Sequence, residues 1–208
     1  LNIDETLIEE AITPKTKAIL PVHYAGVACE MDSIMEIASK HKLFVVEDAA
    51  QGIMSKYKGR SLGSIGDLGC LSFHETKNII SGEGGALLIN NKIFIKRAEM
   101  IREKGTDRTQ FFRGEVDKYS WQDIGSSFLP GETMAAFLFA QLEEAQSITN
   151  KRLKIWHEFN EFFSQVSSEK QFSIPVIPNQ CETNGHLYYL LMNNKTEREN
   201  FIAYMKSE

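Results

Sequence analysis

The stretch KAILPVHYAGVACEMDSIMEIASKHKLFVVEDAA, residues 17–50, decides the fold. KAILPV (17–22) is a short apolar run, strand-like, ending at the polar and small residues HYAG. EMDSIMEIASKHK (30–42) sets Met31, Ile34, Met35, Ile37 and Ala38 at helical spacing. LFVVEDAA (43–50) is a continuous apolar run closed by two acids, the pattern of a strand covered on both faces. Strand, helix and strand in this order predict a βαβ unit of a parallel sheet. Ligands of such sheets gather at the carboxyl ends of the strands, so His23 and Asp48 are both expected at that edge.

Working outward, the preceding segment ETLIEEAI (5–12) has helical spacing and stops at Thr13-Pro14. On the other side a glycine-punctuated loop, YKGRSLGSIGDLG (57–69), leads to two further strands, CLSF (70–73) and GALLIN (85–90). Between these strands lies a polar turn that holds Lys77 and the run Gly82-Glu83-Gly84-Gly85. KIFIKRAEMIREKG (92–105) predicts an amphipathic helix ended by Gly105, and residues 106–130, polar and aromatic, predict an ordered loop of functional type. A long helical pattern runs from about Glu132 to Val166. The tail from Gln171 onward, with HLYYLLM (186–192) and a last helix, reads as the start of a second domain. No internal repeat or low-complexity tract is present.

The totals exclude several classes. The 208 residues are 42% apolar and 25% charged, with a net charge of -5 and no basic block, so neither a nucleic-acid nor an anionic-membrane partner is expected. No run approaches the roughly 18 apolar residues of a membrane helix, and the acidic opening is unlike a signal peptide. Cys29, Cys70 and Cys181 are odd in number and far apart, which fits a reducing cytoplasm better than a disulfide framework or a zinc site. Leu1 in place of Met, and a stop at Glu208 inside a helical run, read as a piece of a longer protein.

Asp48, Gln51, Ser72, His74 and Lys77 form the ordered polar set at the strand ends. Taken singly each has a bland explanation: an acid that caps a turn, a solvated lysine, a structural histidine. Together they suit one chemistry. A lysine can form a Schiff base with an aldehyde, a carboxylate can keep a pyridine nitrogen protonated, and a serine hydroxyl can hold a phosphate. Those requirements describe pyridoxal phosphate. A dinucleotide-binding domain is disfavoured, because no Gly-x-Gly-x-x-Gly follows the first strand.

PVHYAG (21–26), VVEDAAQG (45–52), GDLGCLSFHETKN (66–78) and GEGGALLIN (82–90), in this order, resemble the DegT/DnrJ/EryC1/StrS sugar aminotransferases. The resemblance implies an α/β chain with the type I, aspartate-aminotransferase-like fold of pyridoxal-phosphate enzymes. It implies a mostly parallel sheet flanked by helices in a partial large domain (1–145), then a linking helix and the beginning of a small C-terminal α/β domain (146–208), truncated at both ends. It makes Lys77 the Schiff-base lysine and later the acid/base. Asp48 becomes the partner of the pyridinium nitrogen, Gln51 the neighbour of the phenolic oxygen, and Ser72 a phosphate ligand. His74 takes a supporting place, and the GEGG glycines a structural turn.

Ser127 stands where many relatives carry an asparagine that reaches a partner subunit's cofactor phosphate, so a homodimer with shared sites is implied. Pro130, Gly131 and Met134 depart from the usual pattern of that loop, and residues 1–16 match neither the phosphate loop nor the stacking aromatic of the family's N-terminal segment. SFHETKN (72–78) with RGEVDKYSWQDIGSSF (113–128) is similar to the branch that makes dTDP-4-amino-4,6-dideoxygalactose for enterobacterial common antigen. That similarity implies L-glutamate and a dTDP-linked 4-keto-6-deoxy sugar as substrates, pyridoxamine phosphate between the half-reactions, and Arg113, Tyr119 and Trp121 as candidates for sugar-nucleotide or subunit contacts. Two other readings compete: a pyridoxamine-dependent dehydratase, which Lys77 argues against because those relatives carry histidine there, and a non-catalytic binding or dimerisation module without a complete cofactor site.

Overall fold

The computed structural model describes residues 1–166 and 172–208. Gln171, where the sequence pattern starts the C-terminal tail, lies outside the described residues.

The βαβ unit forms as its periodicity predicts. Strand β1 (Ala18–Ile19) pairs in parallel with β2 (Phe44–Asp48), and helix α2 (Met31–His41), the second after the short α1 (Ile8–Ala11), crosses between them. The face of α2 bearing Met31, Ile34 and Ala38 is buried against Ile19 and Val45, and Met35 and Ile37 pack at its margin. β1 is shorter than the expected run of 17–22 because Pro21 has no N–H to give the ladder. Pairing continues past it through the Asp48 N–H to the Pro21 carbonyl, 2.9 Å, and the His23 N–H to the Asp48 carbonyl, 3.0 Å.

After the short strands β3 (Lys56–Tyr57) and β4 (Arg60–Ser61), strand β5 (Leu68–Ser72) lies parallel to β2, with Asp48 opposite Cys70. β6 (Gly85–Ile89) returns antiparallel, with Gly85 opposite Ser72. The sheet order is β1-β2-β5-β6, mostly parallel. Gly85 is required here, since a Cβ would come within 2.8 Å of the Leu71 carbonyl oxygen.

The two acids at the end of β2 diverge, because successive side chains of a strand point to opposite faces. Glu47 is fully buried. Its carboxylate accepts the backbone N–H groups of Gly63 (2.8 Å), Ile65 (2.6 Å) and Gly66 (2.6 Å), and lies 3.0 Å from the His23 ring. His23 Nδ1 accepts the Cys29 N–H, which leaves the proton on Nε2 to be donated to Glu47. Burial works to raise the Glu47 pKa, but the bonds from His23 and from the backbone of Gly66, Gly63 and Ile65 outweigh it and hold the carboxyl below its ordinary value. The glycine-punctuated loop therefore serves as an anion nest for a buried carboxylate.

Residues 132–166, one helical pattern in the sequence, are two helices. α5 (Glu132–Glu143) and α6 (Ala145–Val166) break at Glu144. α5 buries no residue, whereas α6 buries Ala145, Thr149 and Trp156, so the two segments answer to different packing partners. The predicted helix of 92–105 is likewise shorter: a 3-10 turn at Lys92–Phe94 and then α3 (Ile95–Arg102), with Gly105 in the left-handed region just beyond.

Residues 106–130 are ordered, as expected, and include α4 (Arg108–Phe112). The buried Asp107 carboxylate holds this loop by accepting the Ser120 N–H (2.6 Å) and the Gln122 amide (3.0 Å). The last part adds β7 (Phe172–Ser173) paired with β9 (Leu191–Met192), β8 (Cys181–Glu182) added to β3, and α7 (Lys195–Ser207). Cys29 and Cys181 are buried as free thiols, and burial pushes the Cys29 thiol up to about 11. No helix among the described residues is long and apolar enough to cross a membrane.

Glu47→Ala should lower the unfolding free energy by about 3–5 kcal/mol, since His23 and three N–H groups would stay buried without their acceptor. Chemical denaturation measures this. The contribution of Glu47 should be full above the ordinary carboxylate pKa and fall as the pH drops through its lower folded value, an acid-side loss that Glu47→Gln removes.

Candidate active site

β2 and β5 end side by side, and the residues singled out in the sequence leave from those ends. Asp48 is half-buried on the face opposite Glu47, and one of its carboxylate oxygens accepts the Ala50 N–H at 3.0 Å. Gln51 follows on the same loop. Its side-chain oxygen accepts the N–H of Ala25 at 2.6 Å, which steadies the left-handed residue of the Tyr24–Gly26 turn. Ser72 closes β5, where its hydroxyl accepts only a long bond, 3.4 Å, from the His74 N–H.

The chain then turns through Lys77 and comes back at Gly85. Hydrogen bonds from Phe73 N–H to the Gly84 carbonyl (2.9 Å), Glu75 N–H to Gly82 (2.9 Å) and Ser81 N–H to Phe73 (2.7 Å) close the turn. Phe73 and the fully buried Ile79 seat it on Ala145 of α6. Gly84, at φ +152°, passes so close to the Ser81 hydroxyl that a Cβ would stand 2.7 Å from it. The Lys77 N–H donates to the His74 carbonyl at 2.9 Å, while its half-buried amine makes no hydrogen bond or ion pair among the described residues. The His74 ring is occupied within the turn: Nδ1 meets the Thr76 hydroxyl (2.9 Å) and N–H (3.2 Å), and Nε2 lies 3.7 Å from Glu83.

A carboxylate at the end of β2, a hydroxyl at the end of β5 and an amine in the turn that follows thus keep unspent polar capacity among the described residues. Their chemistry fits pyridoxal phosphate: an anion for a pyridinium, a nucleophile for an aldehyde, a donor for a phosphate. His23, expected at the same edge, has its backbone there but turns its ring to Glu47.

The remaining candidates lie elsewhere on the chain. Arg113 is paired with Glu99 of α3 through both guanidinium nitrogens, at 3.1 and 2.6 Å. Tyr119 packs edge-on against Phe111, 5.7 Å between ring centroids. Trp121 is 81% exposed and bridges Thr106, and Ser127 bridges Glu103. Their hydrogen bonds and ring contacts run to α3, to α4 and to the loop itself, not to the Lys77 turn.

Sequence reasoning missed Asn78, Arg152, Asn184 and His186. The Arg152 guanidinium lies 3.5 Å from the Lys77 carbonyl, and Asn184 is fully buried with its amide spread over the carbonyls of Gln51 (2.8 Å) and Ile53 (2.7 Å). The His186 ring meets the Asn78 side chain at 2.8 Å. Burial, then the nearby charges of Lys77 and Arg152, lower the His186 pKa to about 4. The one signal in the sequence was Asn-Gly-His at 184–186, a turn-forming tripeptide before an apolar run.

The model of the DegT/DnrJ/EryC1/StrS aminotransferase family matches residues 1–208. The chain is 35% identical to a GDP-perosamine synthase of Caulobacter vibrioides, over 76% of this chain and 41% of that protein. It is 31% identical to the dTDP-3-amino-3,4,6-trideoxy-alpha-D-glucose transaminase of Streptomyces venezuelae, over 94% of this chain and 49% of that one. Among solved structures, Helicobacter pylori PseC, an aminotransferase involved in the biosynthesis of pseudoaminic acid, superposes with a TM-score of 0.86 at 27% identity, over 99% of this chain and 54% of its own. The chain spans about half the length of the curated relatives it matches. The fold shared with such neighbours, a mostly parallel sheet flanked by helices, is the type I architecture of pyridoxal-phosphate enzymes that the motif resemblance implies. The chain belongs to the DegT/DnrJ/EryC1/StrS aminotransferase family.

Proposed function

We propose that this chain carries the cofactor-binding core of a sugar aminotransferase that moves nitrogen from L-glutamate to C4 of a nucleotide-linked 4-keto-6-deoxy sugar. The observation that carries the reading is Lys77, its amine without a partner among the described residues, in the turn that leaves β5 after Ser72 and beside the β2 end that carries Asp48, in a chain of this family. The finer reading is dTDP-4-dehydro-6-deoxy-D-glucose as acceptor, with dTDP-4-amino-4,6-dideoxy-D-galactose and 2-oxoglutarate as products. It rests on the similarity of residues 72–78 and 113–128 to the common-antigen branch.

Pyridoxal phosphate, when bound, supplies the electron sink that lets a carbon beside nitrogen lose and regain a proton. Lys77 would hold the cofactor by its aldehyde carbon and, when its amine is free again, would serve as the acid and base that moves that proton. Asp48 keeps a cation at the ring nitrogen. Its backbone N–H and carbonyl are both bonded to the neighbouring segment, at Pro21 and His23, which would hold the carboxylate in place. The Gln51 amide nitrogen would be the group left to meet the phenolic oxygen, since its side-chain oxygen is spent on Ala25. Ser72 would donate its hydroxyl to the phosphate, and Ser127 of a second copy would do the same across a homodimer. His74 supports the turn. Arg113, Tyr119 and Trp121 serve the sugar nucleotide or the partner subunit. The division of the chain near residue 145, and a cytoplasmic location, belong to the same reading.

Incubating the full-length protein with pyridoxal phosphate and then borohydride should yield a reduced adduct that mass spectrometry maps to Lys77. No adduct, or one on another lysine alone, would sink the assignment. Asp48→Asn should cut transamination by at least ~100-fold, the scale of losing one preorganised electrostatic partner, with little change in thermal unfolding. Turnover that survived this change intact would remove Asp48 from the role.

A further inference from the structure

The turn Asn184-Gly185-His186 is wedged between the Lys77 loop and α6. Gly185 adopts φ +62°, and a Cβ there would press to 3.1 Å on the Arg152 backbone, so only glycine lets its two neighbours point the same way. The side chain and the carbonyl of Asn184 are all used. Its amide nitrogen donates to the carbonyls of Gln51 and Ile53, and its side-chain oxygen accepts the His186 N–H at 3.0 Å. Its backbone carbonyl accepts the Asn78 amide at 3.0 Å. Because the Asn78 nitrogen donates there, its oxygen must accept from His186, which puts the imidazole proton on Nδ1.

The result is a closed ring of hydrogen bonds, Asn78 to Asn184 to His186 and back, in a buried setting where a fully satisfied network is stiff. One side chain, Asn184, reaches the loop that carries Asp48 and Gln51, and its backbone reaches the loop that carries Lys77. Asn78 is the residue next to Lys77 in the chain. The Arg152 guanidinium beside the Lys77 carbonyl braces the same backbone from α6. The imidazole beside the lysine stays neutral at physiological pH, so it adds no repelling cation.

We propose that Asn78, Asn184 and His186 are positioning residues that lock the Lys77 loop to the Asp48–Gln51 loop and so set how Lys77 meets the cofactor aldehyde. The inference rests on the reading of Lys77 given above and deepens it. The three residues touch no reacting atom; they act through the backbone that presents the amine.

The test uses the full-length protein with His186→Ala, His186→Asn and His186→Gln. An asparagine amide can replace the Nδ1–H to Asn78, whereas glutamine carries its amide one bond too far. Two rates are followed: pyridoxal phosphate coupling at Lys77, trapped by borohydride, and labelling of Lys77 in cofactor-free protein by an acylating reagent, with the exposed Lys154 as internal standard. Loss of the clamp should slow coupling by roughly tenfold, since misplacement by about an ångström costs up to about 100-fold. Acyl labelling should move the other way and speed up, because a released loop exposes the amine. His186→Asn should restore both rates to within about twofold of wild type and His186→Gln should not, as expected if geometry rather than bulk is what matters.

Unchanged rates in a folded His186→Ala protein would overturn the clamp, as would His186→Asn behaving like His186→Gln. If His186→Ala does not fold, the comparison of His186→Asn with His186→Gln decides alone. Should wild-type protein form no adduct at Lys77, the transaminase reading fails on that ground, while acyl labelling still decides whether the clamp controls the lysine.

Discussion

The Glu47 carboxylate is the interaction on which the rest of the sheet depends. A charge with no solvent exposure is tolerable only when its lone pairs are filled, and here three backbone N–H groups and one imidazole fill them. The consequences spread in both directions along the chain. His23 is drawn inward and fixes the end of the first strand. The loop of residues 63–66 is curled so that its amides converge, which aligns β5 beside β2. Gly69 lies so close to the Gly63 backbone that any side chain there would collide with it.

The same strand that buries Glu47 inward must turn Asp48 outward, because the pleat alternates. A structural carboxylate and a candidate catalytic one are therefore successive residues with opposite environments. The first is sealed from water and loaded with donors. The second is half-exposed, accepts a single bond from Ala50, and keeps capacity for a ligand. Rigid backbone on one face gives a steady carboxylate on the other.

The lysine turn is built on a similar division. Its apolar members, Phe73 and Ile79, pack on Ala145 of α6, while Asn78 is buried against Asn184 and the Lys77 carbonyl meets Arg152. Gly85 lets the return strand approach Leu71 and Gly84 makes room for the Ser81 hydroxyl, while Gly82 takes a left-handed φ of +84°. The turn is then tied from above by a segment more than a hundred residues later in the chain, through Asn78, Asn184 and His186. Distant parts of the sequence thus meet at the backbone of Lys77, whose amine makes no hydrogen bond or ion pair among the described residues.

The sequence by itself determined the βαβ core, the two strands that follow it and the candidate set Asp48, Gln51, Ser72 and Lys77, because helix and strand periodicity and short motifs are local properties; the order β1-β2-β5-β6 came from the structure. It also carried the family, since the motifs recur in order. It did not reveal the break at Glu144, because a helical period is blind to a change of packing partner. Nor did it separate the roles of Glu47 and Asp48, or tell His23 as a core residue from His23 at a site edge; these depend on which groups arrive from residues 63–66. The polar clamp of Asn78, Asn184 and His186 was out of reach for the same reason. Hydrogen bonds between residues far apart in the chain leave no spacing to read, and only the folded backbone brings their donors and acceptors within 3 Å.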